Sequence, residues 1–278
     1  MKFSVLQSVY KNDNPFFLEE SLASLYENTV KPTEIIIVKD GFLTDKLESV
    51  ITRWQQKLPI KVVGYNDNLG LAHALNYGLK FVGTDLIARM DSDDICLKNR
   101  FEEQLKFFEE HPEAEVVGAG IIEFYFGKND NEFQKKKIYP YASNATTKTL
   151  FKGTPIAHPT LMIKTELLKA FQYLENTSMN EDIELWFRLI KSGHTIYTIQ
   201  KPLLNFRITD GTFKRRSISK AINEFKIYWS NLLHLFGFNI LLIYPILRLI
   251  IRFLPYSITK KLYLSNIRSF FFKNSNKK

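Results

Sequence analysis

The tetrad Asp91-Ser92-Asp93-Asp94, set just after the apolar run Leu86-Ile87-Ala88, is the chemically richest stretch of the chain. Three carboxylates in four positions at the end of a buried strand require answering charge, because an unpaired buried carboxylate is costly. A hard divalent cation that also carries a phosphate ester suits such a cluster, since Mg²⁺ is commonly held by one or two carboxylates plus substrate phosphates. Asp equally suits solvated turns and helix N-caps, so the tetrad alone divides between the two roles. A second acidic pair, Glu181-Asp182, opens a segment in which Ile183, Trp186, Phe187 and Ile190 recur at helical spacing. Carboxylates in a first turn complement the helix dipole, and one of two adjacent acids can also serve as a general base.

The elements that must position these groups alternate over the first 120 residues. Val5-Leu6, Ile35 to Val38, Val62-Val63, Leu86 to Ala88 and Val116-Val117 are short β-prone runs. Asn14-Pro15 supplies an N-cap with proline at the first helical position, and Leu18, Leu22 and Leu25 follow at helical spacing. Glu19 and Glu20 are expected near the positive end of that helix's dipole. Phe101, Leu105 and Phe108 repeat the helical pattern, which ends at His111-Pro112. Strands alternating with helices predict a parallel α/β sheet with ligands at the strands' carboxyl ends. Asp40-Gly41 and the tetrad both fall on that edge. Asn68-Leu69-Gly70 opens a helix containing Ala72, Ala74, Asn76 and Gly78, small enough to pack closely, with an N-terminus suited to phosphate. Neither a Gly-x-Gly-x-x-Gly fingerprint nor a Walker A lysine is present, which weighs against dinucleotide and P-loop chemistry. Residues 127–150 are polar and lysine-rich, centred on Lys135-Lys136-Lys137, and are expected as a loop or hairpin.

At 278 residues and 45% hydrophobic content, the chain suits one large domain, or one plus an appendage. A single cysteine, Cys96, excludes an internal disulfide and is expected to pack rather than react. The N-terminus reads as a first strand rather than a signal segment, so a cytosolic body is expected. The net charge of +9 is uneven: from Lys214 onward there are 13 Lys and Arg against one acidic residue, Glu224. A basic tail on a near-neutral body points to a polyanionic partner.

Residues 3 to about 210 resemble the family-2 glycosyltransferases, inverting enzymes with a GT-A, Rossmann-like nucleotide-sugar-binding fold. The resemblance is carried by Ser8-Val9-Tyr10, Asp40, Asn68-x-Gly70 with Ala74 and Asn76, Asp91-Ser92-Asp93-Asp94, and Glu181-Asp182 followed by Leu185-Trp186 and Arg188-Leu189. The run Ile87 to Asp91, with His158-Pro159, is similar to the bacterial exopolysaccharide and amylovoran-type branch. It implies a nucleotide-sugar donor, a UDP-sugar above all, bound by Asp40, Asn68, Asp91 and the main chain at Val9 and Tyr10. Asp93, with Asp91, would hold Mg²⁺ or Mn²⁺ bridging the diphosphate. Asp182 would be the base, with Glu181 beside it, and His158 and Trp186 are candidates for the acceptor side. Leu75 stands where many relatives carry arginine, so diphosphate contact is expected from Arg89 or the cluster Lys214-Arg215-Arg216. The Gln-x-x-Arg-Trp motif of processive synthases is missing, which implies one sugar per encounter. The implied domains are a catalytic body over 1–213, with a nucleotide half to about 120 and an acceptor half beyond, and a tail over 214–278.

Within the tail, Ile227 to Leu247 are 21 residues without Asp, Glu, Lys or Arg, but polar residues and Pro245 interrupt them. Arg248 and Arg252, one turn apart among Leu249, Ile250, Ile251 and Phe253, predict a basic amphipathic helix lying in a membrane interface. The expected partners are therefore a glycan or lipid-linked acceptor and an anionic membrane surface at the inner face of the cell membrane, and not nucleic acid. Two other functions stay open at this point: sugar-phosphate nucleotidyl transfer on a related fold, and a noncatalytic membrane- or nucleic-acid-binding module. The first usually shows a Gly-rich basic loop where this chain has Val9 to Asp13. The second leaves the acids at 91–94 and 181–182 without a role.

Overall fold

Every apolar run expected as a strand is a strand in the structure, a computed structural model that describes residues 1–126, 132–137, 154–175, 177, 180–209 and 218–253. The order begins β1 (Phe3–Tyr10), α1 (Pro15–Glu27), β2 (Glu34–Asp40), α2 (Asp45–Gln55), β3 (Ile60–Tyr65), α3 (Leu71–Leu79) and β4 (Leu86–Met90). It continues with β5 (Ile95–Cys96), α4 (Arg100–Glu110), β6 (Val116–Phe126), β7 (Glu132–Lys137), β8 (Met162–Lys164), α5 (Thr165–Phe171), α6 (Glu181–Lys191) and β9 (Ile196–Ile208). Two further helices close the described chain, α7 (Ile218–Phe236) and α8 (Ile243–Arg252).

The strands form one sheet in the order β3-β2-β1-β4-β8-β6-β9-β5, with β7 paired to β6. Strands β3, β2, β1 and β4 run parallel, as the alternation of strands and helices requires, and β6 lies parallel to β9. The short strands β5 and β8 add antiparallel contacts not legible in the sequence, since two and three residues carry no periodicity. The lysine-rich region contributes a hairpin strand: Lys135 to Lys137 pair in register with Glu123 to Ile121. The rest of the 127–150 stretch lies outside the described residues.

Helices cover both faces, so the central strands are apolar on both sides. Ile35 and Ile37 of β2 pack with Leu18, Leu22 and Leu25 of α1 on one face. Ile36 and Val38 face the other cluster, which holds Leu75 and Leu79 of α3 and extends to Trp186 and Phe187 of α6. The small residues of α3 let it approach the sheet closely. A Cβ on Gly78 would lie 2.5 Å from Leu6 Cδ1 and 2.7 Å from Val38 Cγ2. Asn14 caps α1 as expected, its Oδ1 accepting from the Phe16 amide at 2.9 Å. Glu19 and Glu20 fall beyond the first turn of α1 and make ion pairs instead, with Arg53 and Arg207.

The C-terminal helices share the core of the body. Tyr228 and Leu232 of α7 and Leu242 before α8 are buried in the cluster that holds α6, and the Tyr228 ring meets Phe187 edge-on at 5.3 Å. Arg248 and Arg252, expected on an exposed basic face, instead turn inward. Both pair with Glu224 of α7, which is only 2% exposed; Arg248 Nε donates to Oε1 at 2.6 Å and Arg252 lies 2.9 Å from Oε2. A buried carboxylate must be answered, and two guanidinium groups one helical turn apart answer it.

Candidate functional site

The parallel register places three loops on one sheet edge. Tyr10 stands opposite Asp40 across β1 and β2, and Gln7 opposite Met90 across β1 and β4. The chain therefore leaves β1, β2 and β4 side by side, and the acidic tetrad emerges next to Asp13.

The tetrad is fixed from several directions. Its Asp91 carbonyl accepts from Gln7 Nε2 at 3.0 Å and from Ser21 Oγ at 3.1 Å. The Asp91 carboxylate is gripped by both terminal nitrogens of the buried Arg89, one of them at 2.6 Å. Ser92 Oγ donates to Asp13 Oδ2 at 2.8 Å. From β9, the Arg207 amide donates to Asp94 Oδ1 at 2.9 Å, and Arg207 Nε donates to the Asp93 carbonyl at 2.8 Å. Arg207 Nη2 reaches Glu20 at 2.7 Å, and the guanidinium lies over the rings of Phe17 and Phe124 at 4.1 and 4.6 Å. Buried and stacked on both sides, Arg207 fastens the loop to α1, β6 and β9 at once.

What remains is a nest of carboxylates. One oxygen from each of Asp91, Asp93 and Asp94 lies within 4.8 Å of the others. Asp94 is 1% exposed, and its Oδ2 has no hydrogen-bond partner among the described residues. Burial, then the nearby Asp93 and Asp91, push the Asp94 carboxyl well above the ordinary range. Burial also raises Asp13 to about 7, with Ser92 and the Tyr10 amide opposing. A buried, unpartnered oxygen amid mutually repelling carboxylates fits a divalent cation, and an all-oxygen donor set fits Mg²⁺ or Mn²⁺.

The second acidic pair opens α6. Glu181 is buried and Asp182 half-buried. Burial raises both carboxyl groups; for Glu181 the neighbouring Asp182 adds to the rise, while Lys220 opposes it for both. Arg89 lowers both, so one guanidinium acts on the tetrad and on the helix pair together.

Several candidates occupy other positions than the sequence suggested. Arg89, expected at the diphosphate, spends its guanidinium on Asp91 and is 4% exposed. Asp40, expected to face a base, has both oxygens engaged by its own loops: Tyr65 Oη, Asn68 Nδ2 and the Leu69 and Gly70 amides donate to it at 2.7–3.3 Å. Asp40 and Asn68 thereby shape the turn that opens α3, where Gly70 takes φ 93°, a conformation glycine adopts without strain. Val9 is fully buried, and the Tyr10 amide donates to Asp13 Oδ2 at 3.2 Å. His158 and Trp186 lie in the core rather than on a surface. His158 Nε2 meets Tyr173 Oη at 2.9 Å, its ring meets Trp186 edge-on at 6.0 Å, and burial keeps the imidazole neutral. Asn76 pins that tyrosine, bonding both its amide and its carbonyl at 2.8 Å. Cys96 packs as expected, buried beside Arg100. The cluster Lys214-Arg215-Arg216 lies outside the described residues.

Two site residues escaped the sequence. Asp13 lies in the turn after the first strand, beside the recognised Asn14-Pro15 cap, so its position on the ligand edge was available. Arg207 had no local signal, because its partner Asp94 is 113 residues away.

The Glycosyl transferase family 2 signature matches residues 4–171. An Escherichia coli UDP-Gal:alpha-D-GlcNAc-diphosphoundecaprenol beta-1,3-galactosyltransferase is 37% identical over 97% of this chain and 98% of its own length. The amylovoran biosynthesis glycosyltransferase AmsE of Erwinia amylovora is 34% identical over 94% of this chain and 97% of its own. The fold matches the crystal structure of S. aureus TarS 1-349 in complex with UDP-GlcNAc, with a TM-score of 0.62 at 18% identity, over 99% of this chain and 89% of that one. It also matches the mannosyltransferase PcManGT from Pyrobaculum calidifontis in complex with GDP-Man and Mn²⁺, with a TM-score of 0.58 over 98% and 83%. The chain belongs to glycosyl transferase family 2 and is a glycosyltransferase with a GT-A fold.

Proposed function

We propose that the protein is an inverting, metal-dependent enzyme that moves a hexosyl or N-acetylhexosaminyl group from a UDP-sugar to a glycan or lipid-linked acceptor in surface polysaccharide assembly. The carrying observation is the nest at Asp91, Asp93 and Asp94, with a buried unpartnered oxygen on Asp94 and guanidinium groups behind it. The named activity of the full-length E. coli relative supports a UDP-sugar donor and a lipid-linked acceptor.

Asp93 and Asp91, joined by Asp94, are the residues that would hold Mg²⁺ or Mn²⁺; when bound, the cation neutralises charge on the departing diphosphate. Arg89 orients Asp91, and Arg207 holds the loop rigid, so the carboxylates need not reorganise during reaction. At the head of α6, the Asp182 carboxylate takes the proton from the acceptor hydroxyl. That oxygen then bonds the anomeric carbon from the face opposite the leaving UDP, and the configuration inverts. Burial raises the Asp182 carboxyl, which makes it a better base than an exposed aspartate. Asp40, Asn68 and the main chain at Val9 and Tyr10 form the floor on which the nucleotide rests. The body over 1–213 carries this chemistry one sugar at a time, and the C-terminal region attaches it peripherally to the inner face of the cell membrane. Among the described residues, no helix is long and apolar enough to cross a membrane.

The test is release of UDP from a panel of UDP-sugars by the full-length enzyme with Mn²⁺ or Mg²⁺. Metal-dependent UDP release is expected. Release of pyrophosphate from a nucleoside triphosphate and a sugar phosphate would replace this reading with nucleotidyl transfer.

A further inference from the structure

Helix α8, the last among the described residues, has its two faces reversed relative to an ordinary surface helix. Ile243, Ile246, Leu247, Ile250 and Ile251 recur at i, i+3, i+4, i+7 and i+8, the spacing that normally marks a core-facing stripe. All five are exposed, with Leu247 and Ile250 at 54% and 56%. The link before the helix continues the patch with Phe238 at 86% and Ile240 at 74%. The charged residues lie on the opposite face, where Arg248 and Arg252 are consumed by the buried Glu224. Tyr244 packs beside them against Tyr228, with ring centroids 5.3 Å apart. The inward face is thus fully committed, and the outward one is apolar and carries no ionic group.

We propose that this stripe lies in the surface of a lipid bilayer, with its isoleucine and leucine side chains inserted among the acyl chains, so that apolar insertion rather than charge anchors the enzyme. This rests on the peripheral attachment proposed above and specifies its mechanism. A bilayer fits better than a protein partner on charge grounds. Residues 254–278 carry six Lys and Arg and no Asp or Glu, and they place aromatic and basic side chains together. That composition matches phospholipid headgroups flanking an inserted apolar helix. The Glu224 ion pairs remove the charge that would otherwise oppose insertion of α8.

Flotation of the full-length protein with phosphatidylcholine vesicles, and with vesicles containing phosphatidylglycerol, tests this at about 0.1 M and about 1 M NaCl. Binding to both vesicle types is expected, with a loss of less than about threefold at high salt, because apolar insertion is not screened. The double variant Leu247→Ser/Ile250→Ser replaces exposed side chains, and so should fold normally while partitioning at least about tenfold less into both vesicles. Metal-dependent UDP release from a soluble donor should be unchanged in that variant. Binding only to anionic vesicles that vanishes at high salt would overturn the proposal in favour of charge. Unaltered partitioning of the double variant, or no wild-type binding to either vesicle, would also overturn it. Sedimentation adds a further discriminator: a wild-type dimer that the double variant splits, with no vesicle binding, would assign the stripe to a second copy. Failure of vesicle binding with intact UDP release sinks this inference and the attachment it rests on, and leaves the enzymatic reading standing. Vesicle binding by a protein that releases no UDP sinks the enzymatic reading alone.

Discussion

The carboxylates at 91–94 and those at 181–182 each set one buried group beside half-buried neighbours, yet different physics holds them. The first set sits in a loop with no helix to complement it. It is fixed by side chains from Gln7 of β1, Ser21 of α1 and Arg207 of β9, together with Arg89 of the adjoining β4. The second set sits in the first turn of α6, where helix amides and dipole supply positive potential locally. A loop assembled from four elements suits an ion whose ligands must keep fixed positions. A helix terminus suits a single carboxylate that gains and loses a proton. The two sets share one electrostatic neighbour, Arg89, whose fixed charge favours the ionised carboxylates of Asp94, Glu181 and Asp182 alike.

The sharpest way to break this comparison is to remove one ligand from the loop. Asp93→Asn should abolish Mn²⁺-dependent UDP binding in calorimetry while the thermal transition persists; unchanged affinity would remove Asp93 from the ion. Next in size, Asp182→Asn should lower turnover by about 10²- to 10⁴-fold with donor affinity nearly unchanged. Because the folded-state carboxyl is raised, the wild-type rate should fall with decreasing pH already above the ordinary aspartate value of 3.8, as the base takes up its proton. The Asn variant should lose that acid limb. If Glu181→Gln shows the severe defect instead, the roles within the pair are exchanged.

A smaller effect is expected from Arg207→Met, which removes the guanidinium behind the loop and its pair with Glu20 but alters none of the three carboxylates of the nest. The Mn²⁺ concentration for half-maximal rate should rise about 10- to 100-fold, as for other groups that orient metal ligands. Saturating metal should restore most of the turnover, which simple unfolding would not allow. Smallest on the rate is Glu224→Gln, because Glu224 is a minor contributor that raises the Asp182 carboxyl. The acid limb should move slightly to lower pH. Stability should drop by about 3 kcal/mol, because two guanidinium groups lose a buried partner. Burial alone would raise Glu224, but Arg248 and Arg252 overcome it and hold the carboxyl below the ordinary range. Its contribution is therefore present above the unfolded carboxyl value and lost as pH falls through the lower folded one. The stability gap between wild type and variant, measured by denaturant unfolding, should close in strong acid.

Much of the frame was legible in the sequence because it is local. The Asn14-Pro15 cap, the leucine spacing of α1, the doubly apolar run at Ile35 to Val38 and the small residues of α3 act within a few positions. The tetrad and the pair at 181–182 were legible for the same reason, as carboxylates massed at an element's end. Partner choice was not. Arg89 and Arg248 each had a plausible ligand- or solvent-facing role and are instead paired inside the protein, and Arg207, which carried no signal at all, is paired there too. A guanidinium goes to whichever buried carboxylate the fold brings within reach, and periodicity does not encode that meeting.

Helix α8 makes the division plain. Its sequence determined that one face is apolar and the other basic. Only the packing of α7 decided that the basic face looks inward, because Glu224 is buried there and an unanswered buried carboxylate costs more than exposing an apolar stripe.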